Sequence, residues 1–227
     1  MTFRKWTMFR SPRTQSAMRW CRFPLMIFGV LSLGYFGYVW LDAKLYQDRA
    51  SRKFDQMLTS LSASHGSGEK IQPPLRAPGP PRAESAKTQD RGAAARDGSA
   101  LGRIEISSIG LAVMILEGGD AKTLRRGVGH IPGTALPGEQ GNSEIAGHRD
   151  TFFRPLRNIH LNAEITLTTL NGVYHYRVDS MELVEPKDTA VLRDSGDAIL
   201  TLVTCYPFNY VGSAPKRFIV RAHRVAA

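Results

Sequence analysis

A mainly β domain, a small closed or nearly closed barrel behind one transmembrane helix, is the fold class predicted by this chain of 227 residues. Two observations carry that prediction. Residues 23–41 form an apolar run without a formal charge. Residues 101–227 break into short strand-like segments parted by turn-rich loops, and closure of such strands removes exposed sheet edges.

The chain begins with a basic stretch, residues 1–22, that holds Arg4, Lys5, Arg10, Arg13, Arg19 and Arg22 and no acid. The run from Phe23 to Leu41 follows, and as a helix its nineteen residues would span about 28 Å, enough to cross a bilayer. Asp42, Lys44, Asp48 and Arg49 nearly cancel on its far side, so the rule that Lys and Arg stay inside predicts the N-terminus in the cytoplasm and the rest outside. Tyr35, Tyr38 and Trp40 would mark the outer interface. Leu41-Asp42-Ala43 is a poor cleavage site, which favours an uncleaved anchor over a signal peptide.

Residues 42–63 carry Leu45, Met57, Leu58 and Leu61 thinly among charges, the pattern of a juxtamembrane helix emerging into water. Residues 64–100 contain Pro73, Pro74, Pro78, Pro80 and Pro81 with many Gly, Ala and Ser. They lack the apolar surface to offset ordering entropy and read as a partly extended tether.

In residues 101–227 strands are predicted at Arg103 to Leu111, Ala112 to Leu116, Ser143 to Gly147, Ile165 to Leu170, Val173 to Val178, Ala198 to Thr204 and Arg217 to Ala222. Asn171-Gly172 between two of them is a strong hairpin signal, and Asp120 to Arg126 reads as a helical turn or two. The net charge of +10 resembles a nucleic-acid signal, but this domain holds fourteen basic and thirteen acidic residues. Most of the excess sits before the apolar run, where it reads as topology information and not as a phosphate-binding face, so no nucleic-acid partner is expected.

Chemistry points to Cys205. Only two cysteines exist, and Cys21 lies far away at the edge of the apolar segment, so Cys205 reads as a free thiol at the end of the strand Thr201-Leu202-Val203-Thr204. A cysteine nucleophile needs a proton-handling partner and a donor aimed at the developing oxyanion. Of six histidines, His148 has the most suggestive setting, after Ile145-Ala146-Gly147 at a strand end, whereas His175 between two tyrosines reads as a surface or packing residue. Arg217 offers a planar guanidinium that never loses its charge, although a solvated charge beside Lys216 is the simpler reading. No cysteine or carboxylate cluster has metal-ligand spacing, and no cofactor is expected.

Thr201-Leu202-Val203-Thr204-Cys205 resembles the TLxTC signature of sortases, Gly147-His148 resembles their histidine motif, and Arg217 falls where that family places an arginine. The stretches Gly147 to Leu156, Cys205 to Arg217 and His130 to Gly138 resemble the class D branch. This resemblance covers essentially all of 101–227 and implies an eight-stranded β-barrel acting as a cysteine transpeptidase outside the bacterial cytoplasmic membrane. It implies that Cys205 attacks the carbonyl after Thr in a Leu-Pro-x-Thr-like sorting signal, that His148 moves protons, and that Arg217 stabilises the oxyanion. The implied partners are a surface protein with a C-terminal sorting signal and an amine acceptor in the envelope. Thr204 is read as a substrate-positioning hydroxyl or a plain strand residue, and His130 as structural or part of the substrate cleft. An L,D-transpeptidase is disfavoured because no Ser/Thr-His-Gly-Cys tetrapeptide precedes Cys205. A catalytically silent tethered barrel that binds a partner protein is the alternative from another class.

Overall fold

The computed structural model describes residues 12–66, 98–188 and 196–225, with side chains of the N-terminal helix described from Arg22 to Ala63. Most of the expected tether, the start of the basic N-terminus, and the side chains of Cys21 and His65 lie outside the described residues. A single helix, α1 (Pro12–Gly66), runs through both the apolar run and the segment after it. The chain divides into two compact units, Met1–Lys44 and Leu45–Ala227.

In the first unit, Phe23, Leu25, Phe28, Leu31, Tyr35 and Phe36 are all exposed around the helix. A helix that is apolar on every side matches lipid and not water. Its most apolar window has a mean hydropathy of 1.6, which makes it long and apolar enough to cross a membrane.

In the second unit eight strands close a barrel: β1 (Ala100–Ile106), β2 (Leu111–Glu117), β3 (Val128–His130), β4 (Asn142–Gly147), β5 (Glu164–Thr169), β6 (Gly172–Val184), β7 (Ile199–Tyr206) and β8 (Lys216–Val225). Around the barrel the order is β1-β2-β3-β4-β7-β8-β6-β5. The pairs β2/β3 and β4/β7 are parallel and the rest antiparallel. Ile104, Ile106, Val113, Ile115, Val128, Ile145, Leu167, Tyr176, Leu200, Leu202 and Val220 fill the interior. Their alternate spacing along each strand is the two-residue period of a sheet with one face inward.

The expected first strand is shorter than read. After Ile106 the chain turns through a 3-10 segment, Ser107–Ile109, and Gly110 takes the left-handed φ of 65° that lets β2 turn back against β1. The hairpin after β5 is shifted by one residue. Thr169 pairs with Gly172, so Leu170 and Asn171 form the loop and Gly172 opens β6. The expected helical turn is α2 (Ala121–Arg126), capped by Asp120, whose carboxylate accepts from the Lys122 and Thr123 amides. The Thr123 hydroxyl, which donates to the same carboxylate at 2.7 Å, and with it these two amide bonds, hold the Asp120 carboxyl below the usual range.

The part of α1 after Leu45 does not stand clear in water as expected. Phe54 is fully buried with Met114 and Leu116 of β2, and Tyr46, Ala50 and Leu58 pack around them. Met114 and Leu116 alternate with Val113 and Ile115, so β2 buries both faces, one on the barrel core and one on the helix. Gln47 spans the gap before β3 joins β2: its Oε1 accepts from the Met114 amide at 2.9 Å and its Nε2 donates to the Arg126 carbonyl. Tyr46 Oη donates to Gly98 O at 2.8 Å, and Arg103 reaches Asp55 at 3.3 Å.

Candidate active site

Strand register builds this site. Parallel pairing sets Asn142 beside Ile199 and continues in step to Gly147 beside Thr204. The next residues along the two strands are His148 and Cys205, so both leave at the same end of the barrel. Antiparallel pairing then sets Cys205 directly opposite Arg217. Residues opposed across a ladder share a face with Cα atoms about 5 Å apart. Leu200 and Leu202 point into the core, so Val203 and Cys205 point outward, as do their partners Ile219 and Arg217. The sequence separation of His148, Cys205 and Arg217 is thus closed by three neighbouring strands, β4, β7 and β8.

Local packing explains the residues around the histidine. A Cβ at Gly147 would lie 2.5 Å from the fully buried Phe153 ring, so only glycine allows that ring to seat beneath the strand end. Phe153 N donates to His148 O at 3.1 Å and Thr151 N at 3.4 Å, turning the chain sharply after His148 and leaving its side chain exposed. Cys205 is a half-buried free thiol. Thr204 is buried, and its Oγ1 donates to the Gly147 carbonyl at 2.7 Å. That bond clips the cysteine strand to the histidine strand and engages the hydroxyl within the protein.

Arg217 Nη1 donates to Ala214 O at 3.4 Å and Lys216 O at 3.2 Å, which ties its guanidinium to the loop before β8. His130 is not brought to this end of the barrel. It pairs with Ile145, two residues back from Gly147, and is buried. Its Nδ1 lies 2.9 Å from Glu117 Oε2, and its Nε2 lies 3.0 Å from both the Ala135 carbonyl and the Thr134 hydroxyl. Both ring nitrogens are therefore engaged inside the protein. His160, His175 and His223 are exposed elsewhere, His223 against Asp179 at 3.3 Å. Among the described residues no three His, Cys, Asp or Glu side chains cluster as a metal site.

Two residues stand out that the reading of the sequence passed over. Glu144, on β4, is 3% exposed and sits opposite Thr201. Burial raises its carboxyl from 4.5 to about 7. Arg149, directly after His148, is also buried and donates to carbonyls of the loop after Cys205. Its burial depends on contacts some sixty residues away, which no local pattern reports.

Residues 104–225 match the family model described as the Sortase domain. The chain is 38% identical over 131 residues to Sortase D of Bacillus subtilis strain 168, an alignment that covers 56% of this chain and 65% of that protein. To Sortase A of Listeria monocytogenes it is 29% identical over 120 residues, covering 51% and 54%. The chain thus spans less than two thirds of the length of either relative. Among solved structures it is similar to a Clostridium perfringens Sortase D5 transpeptidase, with a TM-score of 0.53 and 32% identity over 58% of this chain and 82% of that one. Sortase A from Corynebacterium diphtheriae matches with a TM-score of 0.53 and 33% identity, over 58% and 63%.

Proposed function

The chain belongs to the sortase family, and on that premise we propose that it is a membrane-anchored cysteine transpeptidase that joins proteins bearing a sorting signal to an amine at the cell surface. The observation that carries this reading is the register of β4, β7 and β8, which gathers a free thiol, an exposed imidazole and a guanidinium at one barrel end.

In the proposed reaction the Cys205 thiolate adds to the carbonyl carbon after Thr in a Leu-Pro-x-Thr-like signal. The C–N bond then breaks, His148 gives a proton to the departing amine, and a thioester remains on Cys205. The incoming amine adds to that thioester, gives its proton to His148, and releases the thiolate. Arg217 donates to the oxyanion of each tetrahedral intermediate once its guanidinium leaves the Ala214 and Lys216 carbonyls. Thr204 acts through Gly147, keeping the histidine and cysteine strands in step. The buried setting of His130 favours the structural half of its reading over a place in the cleft. In this layout residues 1–22 lie in the cytoplasm, 23–41 anchor the chain, and the barrel that begins at β1 carries the reaction.

The test is mass spectrometry of the detergent-solubilised chain mixed with a library of Leu-Pro-x-Thr-x peptides. The expected result is an acyl adduct on Cys205 that is absent in Cys205→Ala and much reduced in Arg217→Lys, since an ammonium lacks the guanidinium fork. No adduct across the library would overturn the proposal.

A further inference from the structure

The nine residues Pro207–Pro215 join β7 to β8, and therefore Cys205 to Arg217. Phe208 and Asn209 form a turn within this loop, and the Phe208 ring packs against the barrel core beside Tyr206 and Phe218. Two arginine side chains bond carbonyls along the rest of the loop. Arg149 Nη1 donates to Pro207 O at 3.1 Å, and its Nη2 donates to Tyr210 O at 2.7 Å and Gly212 O at 3.1 Å. Arg217 takes the Ala214 and Lys216 carbonyls at the other end.

Arg149 is only 6% exposed, and a buried guanidinium must find acceptors for its fork of donors. It finds three carbonyls of one loop, the Tyr210 ring 5.8 Å from its centre, and the exposed Asp150 carboxylate at 3.5 Å from Nε. The main chain beside it is fixed by the turn in which Thr151 N and Phe153 N donate to His148 O. One side chain thus connects the residue after His148 to the segment that starts just after Cys205 and ends just before Arg217. The barrel closes without it, because Cys205 already pairs with Arg217 across the ladder. What Arg149 adds is the shape of the loop, and with it the carbonyls that hold or release the Arg217 guanidinium.

We propose that Arg149 is a positioning residue for acyl transfer, clamping the Pro207–Pro215 loop so that Arg217 and Cys205 keep a working arrangement beside His148. This rests on the reading of those three side chains as the reacting groups. Lysine cannot replace it, because a single ammonium does not reproduce a planar fork directed at three separated carbonyls.

The test compares the full chain in detergent with Arg149→Ala, Arg149→Lys and Asp150→Asn. Chymotrypsin cleavage after Tyr210, mapped by mass spectrometry, reports release of the loop, and kcat and KM are measured with a library peptide that acylates the wild type. Both Arg149 variants are expected to be nicked at least tenfold faster after Tyr210, with the barrel strands intact, and to lose at least tenfold in kcat with KM within threefold. Asp150→Asn is expected to match the wild type. Wild-type nicking and kcat in Arg149→Lys would overturn the proposal, as would cleavage spread evenly over the barrel strands, the mark of a merely structural residue. If no peptide acylates the wild type, the transpeptidase reading fails by itself. The clamp is then decided by nicking together with the rate at which iodoacetamide alkylates Cys205: a tenfold change in both upholds it, and no change in either overturns it.

Discussion

Glu144 shows what a single buried carboxyl costs a barrel. Ile145 beside it points into the core, so Glu144 points to the other side of β4. Burial moves it from 4.5 to about 7. Between those values the unfolded chain has ionised the group while the folded chain still holds its proton. The unfolded state then binds fewer protons, and stability falls as pH rises from 4.5 toward 7, levelling off above. The full shift corresponds to about 3 kcal/mol. Glu144→Gln removes this titration and keeps the size of the side chain. In thermal unfolding from pH 5 to 8, the midpoint of the wild type is therefore expected to fall relative to that of the variant. Parallel curves for the two proteins would disprove it, because every other titrating group is common to both.

At the scale of elements, the helix and the strand it covers explain each other. Met114 and Leu116 would be exposed apolar side chains on the outside of β2 were Phe54 not seated on them. Removing a fully buried Phe side chain costs about 3–4 kcal/mol, and in a chain of this size each kcal/mol lowers the midpoint by about 2–4 °C. Phe54→Ala is expected to lower it by about 10 °C, while Arg52→Ala, on the exposed side of the same helix, leaves it nearly unchanged. Calorimetry in detergent distinguishes the two, and equal effects would mean that the helix does not stabilise the barrel. The strands with two-residue alternation, such as β5 and β6, were legible from the sequence because that pattern is local. Three-residue β3, Val128–His130, carries no such period, and it exists because it pairs with β2 on one side and β4 on the other. The helix docking was hidden for a related reason. Its signal was the unbroken run Met114-Ile115-Leu116, which tells of a strand covered on both faces but not of what covers it. In the site, the order His148, Cys205, Arg217 was readable as motif. The Thr204 bond to Gly147 and the Arg149 bonds to Tyr210 and Gly212 depend on register between distant segments, and appear only in three dimensions.

For the whole molecule, charge and thiol placement combine into a test of topology. Most of the basic excess lies before the apolar run and the barrel domain is nearly neutral, the distribution that keeps the N-terminus inside. The two cysteines of the chain lie on either side of that logic, Cys21 at the inner edge of the run and Cys205 in the barrel. With the N-terminus in the cytoplasm, a membrane-impermeant maleimide added to intact cells reaches Cys205 alone. Wild type and Cys21→Ala are then expected to be labelled alike, and Cys205→Ala to remain unlabelled. Inside-out vesicles are expected to reverse the pattern, with labelling now lost in Cys21→Ala, and solubilisation in denaturant gives the full label at both thiols. Labelling of Cys21 from outside intact cells would invert the orientation. The barrel would then face the cytoplasm, away from surface proteins and envelope amines, and the proposed reaction could not take place where its substrates are.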